Sequence, residues 1–244
     1  MSEAALSVLK APAATFAGWA QSQLFLGFSP REAMELCPLL DASIRRHEKG
    51  CTLIGIDQKV NDIGILLTGT LSIAKEDIHG NLHLLRESAP YDVYTAEIVC
   101  TPTRISPLNI ACRTDVTVMT FAYDVIAGSG MLPESVRCRL MKNLLEIIAN
   151  ANIRQLYKLD ILAKKSLRER ICIYLAIQQK KKSSVLTLSL NREELACYLC
   201  VDRSALSREL GRMQKEGLIC YKKNRFQILA ELHQASLHSQ NRVR

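Results

Sequence analysis

The chain has 244 residues, of which 48% are hydrophobic, a share that supports globular domains with ordinary cores. No apolar run reaches the roughly 18 residues needed to span a bilayer, and the N-terminus lacks a secretory pattern, so we expect a cytoplasmic protein that does not bind membranes. The net charge is +8, and from Ile161 onward 17 lysines and arginines stand against 7 aspartates and glutamates. This distribution favours a basic C-terminal domain for phosphate backbones, although charge alone leaves a solubilising surface equally open.

The first elements follow from capping signals and from hydrophobic period. Ser29-Pro30-Arg31-Glu32 forms a capping box that opens a short helix. From about Gly50 to Phe121, short segments with alternating apolar residues are separated by turn residues, which is typical of strands. Their number and spacing predict a small sandwich or barrel of about eight strands.

A long helix is predicted from Pro133 to about Leu162, because apolar residues recur there at helical spacing. At about 30 residues it is far longer than an average helix, so we expect a second copy of the chain to cover its apolar stripe. The alternative is a helix packed on its own barrel. The predicted dimer residues are Leu140, Leu144, Ile148, Ala151 and Leu159.

A second capping box at Ser166 and Glu169 predicts another helix to about Gln178. A third, at Asn191 and Glu194, opens a short helix that is followed by a tight turn at Cys200 and by a helix from Arg203 to about Glu216. Two short helices joined by so brief a turn form a helix-turn-helix. Two alternating segments around Lys222-Lys223-Asn224 then predict a basic hairpin, the wing of a winged helix-turn-helix.

The free face of the second helix holds the side chains that suit base edges. Arginine pairs with guanine in the major groove, and serine hydroxyls suit phosphates or bases. The predicted DNA-binding residues are Arg203, Ser204, Ser207, Arg208, Asn191, Arg212, Lys222 and Lys223.

The segment Arg-Glu-Glu-Leu-Ala-x₆-Arg203-Ser-Ala-Leu-Ser-Arg208-Glu-Leu-x₆-Gly217-Leu-Ile resembles the DNA-binding motif of the cyclic-AMP receptor protein and fumarate-nitrate regulator (Crp/Fnr) family. The resemblance extends over nearly the whole chain, through Leu24-Phe25-Leu-Gly-Phe-Ser29, Leu66-Leu67-Thr68-Gly69-Thr70-Leu71 and Ser166-Leu-Arg-Glu-Arg-Ile171. It implies an α+β chain with a jelly-roll sensor barrel, a dimerisation helix and a winged helix-turn-helix. We place these parts at residues 1–132, 133–163 and 164–244.

The same resemblance implies a homodimer on palindromic double-stranded DNA, with RNA polymerase and an unidentified small effector as further partners. Arg203 and Arg208 match the family's base-reading arginines, whereas Ser204 replaces a common glutamate, so a different operator sequence is expected. Cys200 stands where the family usually has glycine in the turn.

The sensor sequence departs from the cyclic-nucleotide members of the family. Glu97 is kept, but Pro107 lies ten residues later, where those members have a phosphate-binding arginine. Cyclic nucleotide is therefore not expected, and another small acid or aromatic ligand remains open. The candidate pocket residues are Glu97, Ile98, Thr103, Arg104, Ser106 and Tyr94.

No cofactor and no metal are predicted. The nine cysteines are odd in number and scattered, which argues against a disulfide framework, although Cys100 and Cys112 leave a thiol switch open. Iron–sulfur and haem are not expected, because Cys37 stands alone near the N-terminus and His79 and His83 lack a partner ligand. Catalytic motifs are absent, so an enzyme is not expected. The alternatives are a barrel enzyme, or a protein-contact sensor with weak, nonspecific DNA binding.

Overall fold

The computed structural model describes residues 18–77, 80, 82–128, 130, 132–179, 185–188 and 190–229. Within the chain, residues 1–152 and 153–244 form two compact units. The lysine-rich segment from Lys180 to Lys182, and also His79, lie outside the described residues. No helix in the described ranges has the length and hydropathy of a membrane span.

In the described part of the first unit, eight strands form two four-stranded antiparallel sheets, as expected for a jelly roll. The first sheet has the order β1-β8-β3-β6, and the second has the order β2-β7-β4-β5. The strands are β1 (Ser43–His47), β2 (Thr52–Ile54), β3 (Asp62–Thr68), β4 (Leu71–Glu76), β5 (Leu82–Ser88), β6 (Val93–Tyr94), β7 (Asn109–Cys112) and β8 (Val116–Ala122).

Alternation along the first sheet produces two separate cores, because successive side chains of a strand point to opposite faces. The inner face packs against the second sheet through Leu66, Val116 and Val118. The outer face carries Ile63, Ile65, Met119 and Phe121 into a larger core with the unit's helices. At Gly69 the tight β3–β4 turn adopts a φ of +87°, and a Cβ there would lie 2.3 Å from the Asp115 carbonyl oxygen. This turn therefore requires glycine.

The helices of the first unit that bear on the site are, among the described residues, α1 (Pro30–Leu36), α2 (Ala96–Val99), α3 (Tyr123–Ala127) and the long helix α4 (Glu134–Leu162), which runs on into the second unit. The predicted capping box of α1 is confirmed, since the Glu32 amide donates to Ser29 Oγ and the Ser29 amide donates to the Glu32 carboxylate. The prediction of a single helix of about 30 residues is also confirmed, because α4 is 29 residues long.

The first half of α4 packs on the barrel of its own chain. Leu140 and Leu144 are buried in the outer core, and the Asn143 amide donates to the carbonyl oxygens of Leu24 and Leu26 at 2.8 and 2.9 Å. For Leu140 and Leu144 the structure thus favours the alternative, a helix packed on its own barrel, over contact with a second copy. The exposed apolar side chains of α4 are Met141, Leu145, Ile153, Leu156, Tyr157 and Leu159.

The second unit contains α5 (Leu167–Gln179), β9 (Val185–Thr187), α6 (Arg192–Tyr198), α7 (Arg203–Lys215), β10 (Ile219–Lys222) and β11 (Arg225–Ile228). Its three strands form one antiparallel sheet in the order β10-β11-β9. The predicted capping boxes at Ser166 and Asn191 are both present, with Glu169 and Glu194 as the reciprocal partners. The architecture is the winged helix-turn-helix that the sequence predicted.

Candidate nucleic-acid interface

The helix-turn-helix is held together by a fully buried face. Leu206, Leu210 and Met213 of α7 are completely inaccessible to solvent and pack with Leu195 and Leu199 at and just beyond the end of α6. Each such side chain contributes roughly 1.5–3 kcal/mol when it is buried. The position of α7 is therefore fixed by its apolar face, and the opposite face is left to solvent.

The turn between α6 and α7 is a Schellman motif, in which two amides bond back to the last turn of a helix. The Val201 amide donates to the Ala196 carbonyl at 3.0 Å, and the Cys200 amide donates to the Cys197 carbonyl at 3.1 Å. Cys200 accordingly has a φ of +54°, in the left-handed region that favours glycine. Helix α7 ends in the same motif with Gly217 at the corresponding position, at a φ of +73°.

The solvent face of α7 is polar and basic along its first turns. Arg203, Ser204, Ser207 and Arg208 are all exposed. Farther along, Arg212 lies 3.6 Å from the Glu209 carboxylate, with 70% of its side chain exposed. The helix therefore presents, on one side, the donors that base edges and phosphates accept.

The wing is a two-residue hairpin between β10 and β11. Lys223 in the turn has a φ of +53°, and Lys222 and Lys223 are exposed. The hairpin is supported from beneath by Arg192, whose guanidinium lies 4.8 Å from the Tyr221 ring centroid and 5.0 Å from the Phe226 ring centroid. Arg192 also donates to the Lys223 carbonyl at 3.1 Å, so this side chain fixes the tip of the wing.

Asn191 has a structural role that accounts for its exposed position at the start of α6. Its side-chain oxygen accepts from the amides of Glu193 and Glu194 at 2.9 and 3.0 Å. The predicted contact of Asn191 with DNA stays a prediction.

Two further arginines orient the motif, and sequence reasoning missed both. Arg168 on α5 donates to Glu209 at 2.6 Å and, through both terminal nitrogens, to Glu216 at 2.6 and 3.0 Å. The hydrogen bonds that Arg168 donates to the carboxylates of Glu216 and Glu209 raise the pKa of its guanidinium. Arg170 donates to the carbonyl oxygens of Lys164 and Leu199, at the start of α5 and at the turn. The signal for them was their place in a helix that must pack against α7.

The structure places the predicted effector residues of the barrel in several different surroundings. Arg104 makes a two-point ion pair with Asp124, with nitrogen–oxygen distances of 2.6 and 3.0 Å, and lies over the Tyr123 ring. Glu97 lies 3.8 Å from Arg86 of β5, a cation that the sequence analysis did not consider. Among the other predicted residues, Tyr94 and Ile98 are buried, Ser106 donates to the Leu108 carbonyl, and Thr103 is exposed.

No disulfide bond joins the cysteines of the described residues. Burial raises the pKa of Cys37 to about 12 and that of Cys172 to about 11, which makes both poor nucleophiles at neutral pH. His83 bonds to the Asp77 carboxylate at 2.9 Å. In the described part of the chain, no three His, Cys, Asp or Glu side chains come together as a metal site would require.

Comparisons with known proteins agree with this architecture. Residues 169–233 match the model of the Crp-like helix-turn-helix domain. The comparison with curated protein sequences gave no significant match.

Solved structures cover both units. The c-di-GMP responsive global regulator CLP from Xanthomonas campestris is 15% identical, with a TM-score of 0.62 over 82% of this chain and 99% of that chain. FixK2 from Bradyrhizobium japonicum is 16% identical, with a TM-score of 0.57 over 79% and 96%. A CooA variant from Carboxydothermus hydrogenoformans is 19% identical, with a TM-score of 0.59 over 87% and 91%. Residues 169–233 thus match the Crp-like helix-turn-helix domain, and the chain has the fold of the Crp/Fnr transcription regulators.

Proposed function

We propose that the chain is a homodimeric transcription regulator that binds a palindromic operator and is controlled through its barrel. The single observation that carries the proposal is the division of α7 into a fully buried apolar face and an exposed face with two arginines and two serines. A helix held in this way on a basic domain suits the major groove, whose floor presents hydrogen-bond acceptors.

The side chains of α7 and of the wing have different expected roles. Arg203 and Arg208 lie in the first two turns, where a recognition helix meets base edges, so we assign them to sequence readout. Lys222 and Lys223 at the wing suit phosphate contacts, which add affinity without selectivity. Arg212 has a carboxylate partner in Glu209, which favours a phosphate contact over base readout.

Dimerisation is supported by apolar residues that α4 leaves exposed or half-buried. Met141, Leu145 and Ile148 follow one another at spacings of four and three residues, which places them on one face of the helix. Leu145 has 68% of its surface exposed, and Leu159, farther along, has 63%. Such a stripe is typical of a seam between two helices. Two copies joined in this way would carry two recognition helices for the two halves of a palindrome.

The test of the function begins with selection from a pool of random duplexes. We expect the selected sites to contain two inverted half-sites about one helical turn, roughly 10 base pairs, apart. Arg208→Ala should then lower affinity for the selected site by about 1–3 kcal/mol and relax selectivity at one base position in each half-site. The measurement is competitive fluorescence anisotropy with labelled duplex.

Lys75→Ala is the matched control, because it removes an exposed positive charge from β4 of the barrel, far along the chain from α7. This variant should bind the selected site like the parent protein. Selection without any enriched sequence would favour a barrel enzyme or a protein-contact sensor, and unchanged selectivity in Arg208→Ala would remove that arginine from base readout.

A further inference from the structure

A cleft opens between the two sheets of the barrel, lined mainly by residues other than those predicted to bind an effector. It has a volume of about 250 Å³ and, of those predicted residues, includes only Tyr94. Its walls come from β1, β2, β3, β6 and β8 and from the segment before β3. The side chains that line it include Arg45, Lys59, Asp62, Tyr94, Ile54 and Val118.

The cleft exists because the inner face of the first sheet changes character along its strands. Leu66 and Val116 fill the space between the sheets. Toward the other end of β3 the inward positions are Gly64 and Asp62, which offer no apolar bulk. Gly64 also allows the Tyr94 ring to lie directly on β3, since a Cβ there would be 2.1 Å from the ring.

The wall beside Tyr94 is held by a strained residue. Thr95 is buried and has a φ of +71°, a conformation that costs a β-branched residue energy. Its hydroxyl donates to the Asp62 carbonyl at 2.8 Å and accepts from the Gly64 amide at 3.2 Å. These bonds tie β6 to β3 and keep the cleft preformed, which lowers the cost of binding a ligand.

The charge of the cleft is positive on balance. Arg45 and Lys59 stand against one carboxylate, Asp62. Partial burial raises the pKa of Asp62, while the Arg45 guanidinium lowers it, so this carboxylate is poorly compensated. Among the described residues, neither Arg45 nor Lys59 forms an ion pair within 4 Å. Both cations therefore remain available to an anionic ligand.

We propose that this cleft binds a small organic carboxylate, with its anionic group at Arg45 and Lys59 and its apolar end against Tyr94, Ile54 and Val118. A volume of about 250 Å³ corresponds to roughly eight waters at about 30 Å³ each, so the ligand is the size of one aromatic ring with a carboxylate. The proposal deepens the proposed function by naming a class of effector, and it rests on that function only for the effect of the ligand on DNA.

The test uses benzoate and the full chain without DNA, by isothermal titration calorimetry. We expect saturable 1:1 binding, and at least tenfold weaker binding of benzyl alcohol, which has the ring without the charge. Arg45→Gln and Lys59→Gln should each weaken benzoate binding about tenfold. Asp62→Asn should strengthen it, because it removes the like charge.

Arg46→Gln is the matched control. Arg46 is the next residue on β1, its side chain points to the other face, and it lies 3.6 Å from Asp115. It should bind benzoate like the parent. If Arg46→Gln lost as much affinity for benzoate as Arg45→Gln does, the loss would reflect the overall charge of the chain and not a contact in the cleft. That result would overturn the proposal. Inorganic phosphate binding as tightly as benzoate would overturn the apolar half of the site, and no benzoate binding at millimolar concentrations would overturn it entirely.

Because these titrations contain no DNA, their failure leaves the proposed function intact. Failure of the duplex selection likewise leaves the cleft intact. Anisotropy with the selected duplex, with and without benzoate, then tests whether the ligand acts as an effector.

Discussion

Cys200 has a side chain at a backbone position whose left-handed conformation favours glycine. It occupies the left-handed position of a Schellman motif, as Gly217 does at the end of α7. A residue with a Cβ pays roughly 1–2 kcal/mol in this conformation. The resemblance to the family pointed to this conflict, because it placed cysteine where the family usually has glycine.

We expect Cys200→Gly to stabilise the chain by about 0.5–1 kcal/mol, because relief of strain exceeds the added entropy of the unfolded chain. The side chain is exposed, so no buried packing is lost. The reverse change, Gly217→Ala, should destabilise by a similar amount. Urea unfolding of both variants measures these effects, and a loss of stability in Cys200→Gly would contradict the strain argument.

Asp62 gives a pH-dependent prediction whose sign follows from its raised pKa. In the folded chain the pKa of Asp62 lies above its unfolded value of 3.8, so the carboxyl keeps its proton to a higher pH than in the unfolded chain. As the pH rises from the unfolded pKa through the folded pKa, the contribution of this group to the unfolding free energy therefore falls. Asp62→Asn should therefore exceed the parent in unfolding free energy at neutral pH. The difference should disappear below about pH 4.

Asp124→Asn is the opposite case for the same series of unfolding measurements. Hydrogen bonds from Arg104 lower the pKa of Asp124, so its contribution is present above the unfolded pKa and is lost as pH falls. This variant should be less stable than the parent at neutral pH. If both variants changed the unfolding free energy at neutral pH in the same direction, burial would not be the dominant cause of the raised pKa of Asp62.

Among individual residues, caps were predictable and long-range partners were not. Ser29, Ser166 and Asn191 were found from a partner three positions away, because a capping box is local. Arg168 bonds to Glu209 and Glu216, 41 and 48 residues along the chain. No spacing rule connects such residues, since the fold alone brings them together.

The long helix α4 illustrates the same limit for elements. Its length was predicted from period, but its apolar residues belong to two faces, one buried on the barrel and one exposed. Hydrophobic period identifies a helix without telling which partner each apolar residue meets. The burial of each side chain distinguishes the two faces of α4. On this basis the proposed dimer seam moves toward Met141, Leu145 and Ile148.

We expect Leu145→Glu to convert a dimer into a monomer, because a charged side chain at the seam would be buried without a partner. Asn150→Glu is the control, since it adds the same charge at an exposed position roughly 140° around the helix. Size-exclusion chromatography with light scattering measures both masses. Dimers that persist in Leu145→Glu, or dissociate equally in both variants, would place the interface elsewhere.

Over the whole molecule, the concentration of positive charge in the C-terminal third was already evident from the sequence, and it predicts salt-dependent association with duplexes. Lys223→Ala at the wing should weaken binding to all sequences alike. It should also reduce the slope of log affinity against log salt by about 1. Fluorescence anisotropy at several salt concentrations measures both effects, and Lys75→Ala is the control. An unchanged slope in Lys223→Ala would contradict a contact between the wing and the DNA backbone.

The number of strands in the barrel followed from alternation and turns, whereas their order did not. Neighbouring strands such as β3 and β8 are distant in sequence, and the alternation of apolar residues within a strand does not predict which strand pairs with it. The resemblance to a known family supplied the jelly roll. The cleft at Arg45 and Lys59 was missed because its walls come from five strands, none of which carries a motif.

The pairing of β1 with β8 has a consequence for biosynthesis. Ser43 lies opposite Thr120, 77 residues later, so the first strand leaves the ribosome well before its neighbour exists. At about 5–20 residues per second, the nascent chain waits roughly 4–15 s with the edge of β1 unpaired. Folding of the barrel is thus delayed until its last strand is translated, and until then the unpaired edge of β1 is open to aggregation.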